Sequence, residues 1–142
     1  MQTKPPATII LAAIYHESGR ASVQSGATLA HAVGQAKPFT EYGDLRPEAR
    51  QGREMTATEL LRRLKFNSRT GFEPTTPAVD DLAATIHECE RPAIDRGWTV
   101  IVLDPPRPWI PFAELPEGAR EGRRNQARYF LARFDVAPVK GL

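Results

Sequence analysis

Gly97-Trp98-Thr99-Val100-Ile101-Val102-Leu103-Asp104 is a short apolar run with a stop at each end. Glycine closes the helix that precedes it and Pro105-Pro106 keep a β-ladder from continuing, so the run reads as a strand near 98–104. Trp98, Val100 and Val102 take one face, Thr99, Ile101 and Leu103 the other, and both faces are apolar. Such a strand must be covered on both sides, which predicts an interior place in a sheet packed by helices. Ala7 to Tyr15 (ATIILAAIY) reads the same way, as a strand near 8–15, because the Ile-Ile pair and the flanking prolines disfavour a helix. Two such strands, far apart with helical patterns between them, predict parallel neighbours. The expected fold class is therefore α/β (or α+β), a small single domain over residues 1–142 with a short central sheet.

Composition narrows the class. With 41% hydrophobic and 25% charged residues the chain is an ordinary globular sequence and not a disordered one. Cys89 has no second cysteine to pair with, which suits a reducing, cytoplasmic setting, and its place on an apolar helical stripe with Leu82 and Ile86 marks it as a core thiol. The charged and apolar parts of the N-terminus are too short for a secretory leader. No run approaches the roughly 18–20 apolar residues of a membrane span, so no membrane partner is expected.

Between the two expected strands the chain alternates helical patterns with irregular segments. Residues 16–26 form a polar loop rich in glycine and serine, with Ser25 placed to cap a helix over 26–35. Strand, small-residue loop and helix in that order make Arg20, Ser22, Ser25 and Arg107 candidate anion-binding groups, although neither G-x-x-x-x-G-K-[ST] nor G-x-G-x-x-G is present. Residues 37–54 show no period and read as a long irregular segment with a turn of helix at 47–51. Thr56 and Glu59 then form a capping box that opens a helix, with Leu60, Leu61 and Leu64 inward and Arg62 and Arg63 on the wet side. Phe66 to Phe72 reads as a tight hairpin or a loop, and Thr76-Pro77 starts a helix whose apolar face is Val79, Leu82, Ala83, Ile86 and Cys89. His87 and Cys89 lie about 200° apart on that helix and cannot share a metal ion. Neither a metal nor a cofactor is expected.

The basic helix expected near 117–134 has two unlike halves. Ala127, Phe130, Leu131 and Phe134 form a docking stripe, and the same stripe traced backward meets Arg123, Arg120 and Arg124 with Arg128 at its margin. Burying unpaired arginines is prohibitively costly, so the front of this helix must overhang the core, face acidic groups such as those of 73–96, or face another molecule. Arginine supplies 15 of the 19 basic residues, a preference that suits forked contacts to phosphate or carboxylate.

Asp104-Pro105-Pro106-Arg107 resembles the motif at the catalytic strand of some nucleic-acid methyltransferases. The resemblance spans four residues and no glycine-rich cofactor loop accompanies it, so no activity is carried over. Three functions follow from the residues themselves. The first is a non-enzymatic regulatory or accessory binding module that uses Arg62, Arg63, Arg120, Arg123, Arg124 and Arg128 to contact nucleic acid or an acidic protein partner. The second is a small phosphate-handling or hydrolytic enzyme in which parallel strand ends bring His16 and Glu17 to Asp104, with Arg20 and Arg107 beside them. The third is a structural protein that assembles through Trp109, Phe112 and the proline-rich loop.

Overall fold

A computed structural model of the chain describes residues 6–25, 39–68, 78–99 and 108–138. Where a strand is expected near 8–15 the chain forms helix α1 (Pro6–Ser18). Pro6 sits at the first helical position, where its missing N–H costs nothing. Leu11, Ala12, Tyr15 and Ser18 are buried at helical spacing, whereas Ile9 and Ile10 remain 44% and 60% exposed. The run looks apolar on both sides of a strand because this helix carries isoleucine on its outward face as well as an inward stripe.

After the short α2 (Arg20–Ser25) and a 3-10 turn at Tyr42–Asp44 comes α3 (Pro47–Arg63), one 17-residue helix that takes up the second part of the segment expected to be irregular. Proline again opens it. Thr56 is not a cap: its hydroxyl donates to the Gly52 carbonyl at 3.0 Å inside the helix. Strand β1 (Leu64–Ser68) follows directly. The second part of the chain contributes α4 (Val79–Cys89), α5 (Arg91–Asp95), a 3-10 turn at Phe112–Glu114, α6 (Glu117–Arg133) and β2 (Phe134–Pro138). The result is a small, mostly helical domain with a minimal sheet: β1 and β2 pair antiparallel, Leu64 opposite Pro138 and Ser68 opposite Phe134. The expected parallel pair of 8–15 and 98–104 is therefore not the sheet. Trp98 and Thr99 belong to no strand, and 100–104 lie outside the described residues, as do the helix expected over 26–35 and the Thr76-Pro77 cap.

The two parts are copies of one unit. Helix α6 repeats α3 at an offset of 70 residues, the second 3-10 turn repeats the first, and β2 repeats β1. The sheet register maps onto itself when the copies are exchanged, which places a pseudo-twofold axis through the Phe66–Val136 pair. Packing follows the same symmetry: α1 lies on α3 and α4 on α6 within each copy, while α2 lies on α6 and α5 on α3 between copies. Leu11, Tyr15, Leu60, Leu82, Ile86, Phe130 and Val136 fill the shared core, and Cys89 is buried with them.

Two glycines set the approach between copies. Gly97 takes φ 72°, a left-handed conformation that ends α5; its N–H bonds the Ile94 carbonyl and the Trp98 N–H bonds the Ala93 carbonyl, the double closure of a helix C-terminus. This carries the Trp98 carbonyl onto α3 at Gly52, where a Cβ would stand 1.8 Å from the oxygen. Gly52→Ala is therefore expected to destabilise the fold by about 2–4 kcal/mol, since backbone must shift to admit it. Gly43→Ala, with nothing within 4 Å, should stay within about 0.5 kcal/mol of the parent. Urea unfolding of the two variants checks the contrast.

Candidate functional site

The chemistry-bearing side chains gather on the axis between the copies. Glu90, at the joint of α4 and α5, places its Oε2 2.7 Å from Arg123 Nη1 of α6 and 3.9 Å from Arg53 Nη1 of α3, and it accepts a hydrogen bond from the Tyr15 hydroxyl of α1. Arg123 also donates to the Gln126 side-chain oxygen at 2.9 Å and to Tyr15 Oη at 3.3 Å, and Arg53 stacks its guanidinium 4.8 Å from the Tyr15 ring centre. Burial would raise the Glu90 pKa, yet the two guanidiniums and the tyrosine hold it down at about 2, so it is a carboxylate at every ordinary pH. Burial and the neighbouring Glu90 charge push Tyr15 up to about 12.

Each arginine also holds a histidine. Arg53 Nε donates to His16 Nδ1 at 3.2 Å and Arg123 Nε to His87 Nδ1 at 3.1 Å. The opposite nitrogen of each ring lies 2.6 Å from a main-chain carbonyl, that of Thr40 for His16 and of Ile110 for His87. An arginine can only donate and a carbonyl can only accept, so both rings are fixed as the neutral tautomer with the proton on Nε2. Burial first, and the adjacent guanidinium second, lower both histidines to about 4. An aromatic ring stacks on each imidazole, Phe39 at 4.6 Å and Trp109 at 5.0 Å, and a second arginine covers each aromatic, Arg20 over Phe39 and Arg91 over Trp109.

Of the residues singled out from sequence, the structure brings His16 and Arg123 into this cluster. Glu17 is bound by Arg20 at 2.7 Å, and Arg20 reaches on to Glu41. Ser22 donates to the Gly122 carbonyl at 3.0 Å, Ser25 ends α2, and Asp104 and Arg107 lie outside the described residues. The strand on which His16 and Glu17 were expected is helix α1, and the described sheet is β1–β2, so parallel strand ends do not bring these residues toward Asp104. The α6 arginines face acidic groups: Arg123 meets Glu90, Arg124 meets Asp80, Glu117 and Glu121, Arg120 meets Glu117 and Arg128 meets Glu121. Arg62 pairs with Glu59, and Arg63 with Glu59 and Glu88. Sequence reasoning passed over Tyr15, Arg53, Glu90 and Gln126. The signal that marks the two arginines is the repeat: Ala49-Arg50-Gln51-Gly52-Arg53 returns as Ala119-Arg120-Glu121-Gly122-Arg123, and His16-Glu17 returns as His87-Glu88.

Chemically the cluster holds its groups rather than freeing them. Neither imidazole has a free lone pair for a general base, and burial raises Cys89 to about 12, so its thiol is no nucleophile. Among the described residues no group of three or more His, Cys, Asp or Glu is placed to hold a metal ion.

Two outcomes follow. Glu90→Gln leaves the buried Arg123 and the mostly buried Arg53 without their counter-charge and is expected to cost about 3–5 kcal/mol, while Arg123→Met costs less in that background than alone, a coupling read from urea unfolding of the single and double variants. Stability is also expected to form a plateau in pH. Histidines lowered from 6.5 to about 4 contribute stability that is present above 6.5 and is lost as pH falls through 4. Cys89 and Tyr15, raised to about 12 from 9.0 and 10.0, contribute stability that is lost as pH climbs above 9. A midpoint of urea unfolding that holds constant from pH 6.5 down to 4 contradicts the neutral histidines. Comparison with known protein families, with curated proteins and with solved structures finds no match.

Proposed function

We propose that the chain is a non-enzymatic binding module that docks onto a protein partner. The observation that carries this reading is the contrast between the interior, where both imidazoles and the Glu90 carboxylate are engaged and the thiol is buried, and the outward face of α1, where Ile9 and Ile10 meet solvent. At the repeat positions of α4 the chain carries Asp80 and Asp81, so apolar residues there are not a requirement of the unit.

A nucleic-acid reading rests on the arginines. Arg62, Arg63, Arg120, Arg123, Arg124 and Arg128 each have a carboxylate partner, and a polyanion would have to displace those carboxylates before gaining contacts. This favours a protein over a nucleic acid as the partner. Among the described residues no helix is long and apolar enough to cross a membrane.

The test pairs two measurements. Binding of labelled random-sequence duplex DNA and single-stranded RNA is expected to be no tighter than ordinary non-specific association, about 10⁻⁴–10⁻⁶ M at physiological salt. Tighter binding that falls steeply with salt and is lost when Arg120, Arg124 and Arg128 become alanine returns the nucleic-acid reading. Cross-linking in an extract of the source cells, with the parent and with Ile9→Gln/Ile10→Gln as matched baits, should give a protein adduct that the double variant loses while its thermal midpoint moves by no more than about 3 °C. Equal adducts with both baits argue against α1 as the docking face.

A further inference from the structure

We infer that His16 and His87 are twin acid-released latches, each of which pins the aromatic segment ahead of a 3-10 turn to the helical body and lets it go when the ring takes a second proton. The polarity of the contacts carries this. Each ring already donates from Nε2 to a carbonyl, of Thr40 or Ile110, so a second proton must enter at Nδ1. There it meets the N–H of Arg53 or Arg123, and two donors face each other with no acceptor between them. The ring must turn or the arginine withdraw, and turning the ring breaks the bond to the carbonyl.

Among the described residues, the carboxylates around each ring are already engaged by guanidiniums. Around His16 stand Glu17 on its own helix, Glu41 and Tyr42 from the turn segment, and Arg53 from α3; Arg20 from α2 binds both carboxylates at 2.7 Å. Around His87 stand Glu88 on its own helix, Glu90 at the α4–α5 joint, Arg123 from α6, and Trp109 and Phe112 from the turn segment. Glu88 is held by Arg63 at 3.2 Å and Glu90 by Arg123 at 2.7 Å. The aromatic partners already carry a guanidinium on their far face, Arg20 over Phe39 and Arg91 over Trp109, which weakens their attraction for a cationic imidazole. What a released latch frees is Phe39 and Tyr42 in one copy, and Trp109 and Phe112 in the other.

The experiment uses the full chain labelled with ¹⁵N, following the imidazole nitrogens, the indole N–H signals and the far-UV circular dichroism from pH 6.5 down through 4. Trp109 donates its indole N–H to the His87 carbonyl at 3.0 Å and reports the latch, and Trp98, identified by Trp98→Phe, is the reference. At pH 6.5 both imidazoles are expected neutral with the proton on Nε2. Exchange of the Trp109 indole proton should rise about tenfold in step with His87 protonation, before helix content falls. His87→Gln keeps the donor to Ile110 and cannot be protonated, so its Trp109 signal should stay unchanged past the parent's midpoint. A ring charged or carrying its proton on Nδ1 at pH 6.5, a Trp109 signal that moves only together with the helices, or a His87→Gln titration that matches the parent overturns the proposal. Should His87→Gln not fold, the imidazole titration of the parent decides alone.

Discussion

A carboxylate placed between the buried guanidinium of Arg123 and the mostly buried one of Arg53 is the constraint on which the rest of this molecule depends. Glu90 stands at the joint of α4 and α5, Arg53 on α3, Arg123 and Gln126 on α6, and Tyr15 on α1. These groups are buried or mostly buried, and stranding one of the charges among them costs about 3–5 kcal/mol, larger than the cost of a small repacking of leucine and isoleucine. Apolar contacts supply most of the stabilisation but tolerate sliding. The ion network does not, because moving one helix by a turn carries a member out of reach of its partner. Four helices are thereby held in one arrangement by one set of contacts.

The same interior shows how a duplicated unit becomes a single domain. The histidine, its arginine, its stacked aromatic and the outer arginine recur in both copies with matching geometry. Arg50 and Arg120 likewise repeat a contact to the turn, donating to the Gly43 and Ala113 carbonyls. On the axis the copies differ. Glu90 in the second corresponds to Gly19 in the first, and Gln126 corresponds to Thr56. One carboxylate at the centre serves both arginines, where two facing each other would repel. The break in symmetry is what allows the charges to be paired across the boundary between the copies.

The arginine preference takes on a different meaning in this light. Its forked donors are used here to bridge helices: Arg124 joins α6 to Asp80 of α4, Arg63 joins α3 to Glu88 of α4, and Arg46 reaches the Gly97 and Thr99 carbonyls. At the front of α6, Arg123 and Arg124 face Glu90 and Asp80 of the acidic 73–96 segment, while Arg120 and Arg128 pair with Glu117 and Glu121 of their own helix. The exposed isoleucines of α1 then stand apart from surface arginines such as Arg62, Arg120 and Arg128, each paired with a carboxylate.

Part of the architecture is legible in the residues because local chemistry is sufficient for it. The stripe of α4, the docking face of α6, Cys89 as a core thiol and Gly97 as a helix stop follow from helical spacing and from the backbone freedom of glycine. The remainder depends on contacts between segments distant along the chain. Besides the Tyr15 hydroxyl, Ala7 to Tyr15 has Thr8 as its one polar residue, too little to mark a period of 2.0 or 3.6, so its state was set by the neighbours it packs on, and those make it α1. Leu64–Ser68 and Phe134–Pro138 are too short and too mixed in polarity to announce strands, and they become a sheet because the duplication brings two copies of one segment together across an axis. Glu90 reads on its own as a solvated charge at a helix end. It becomes the centre of the molecule only when α3 and α6, distant in sequence, deliver an arginine to each side of it.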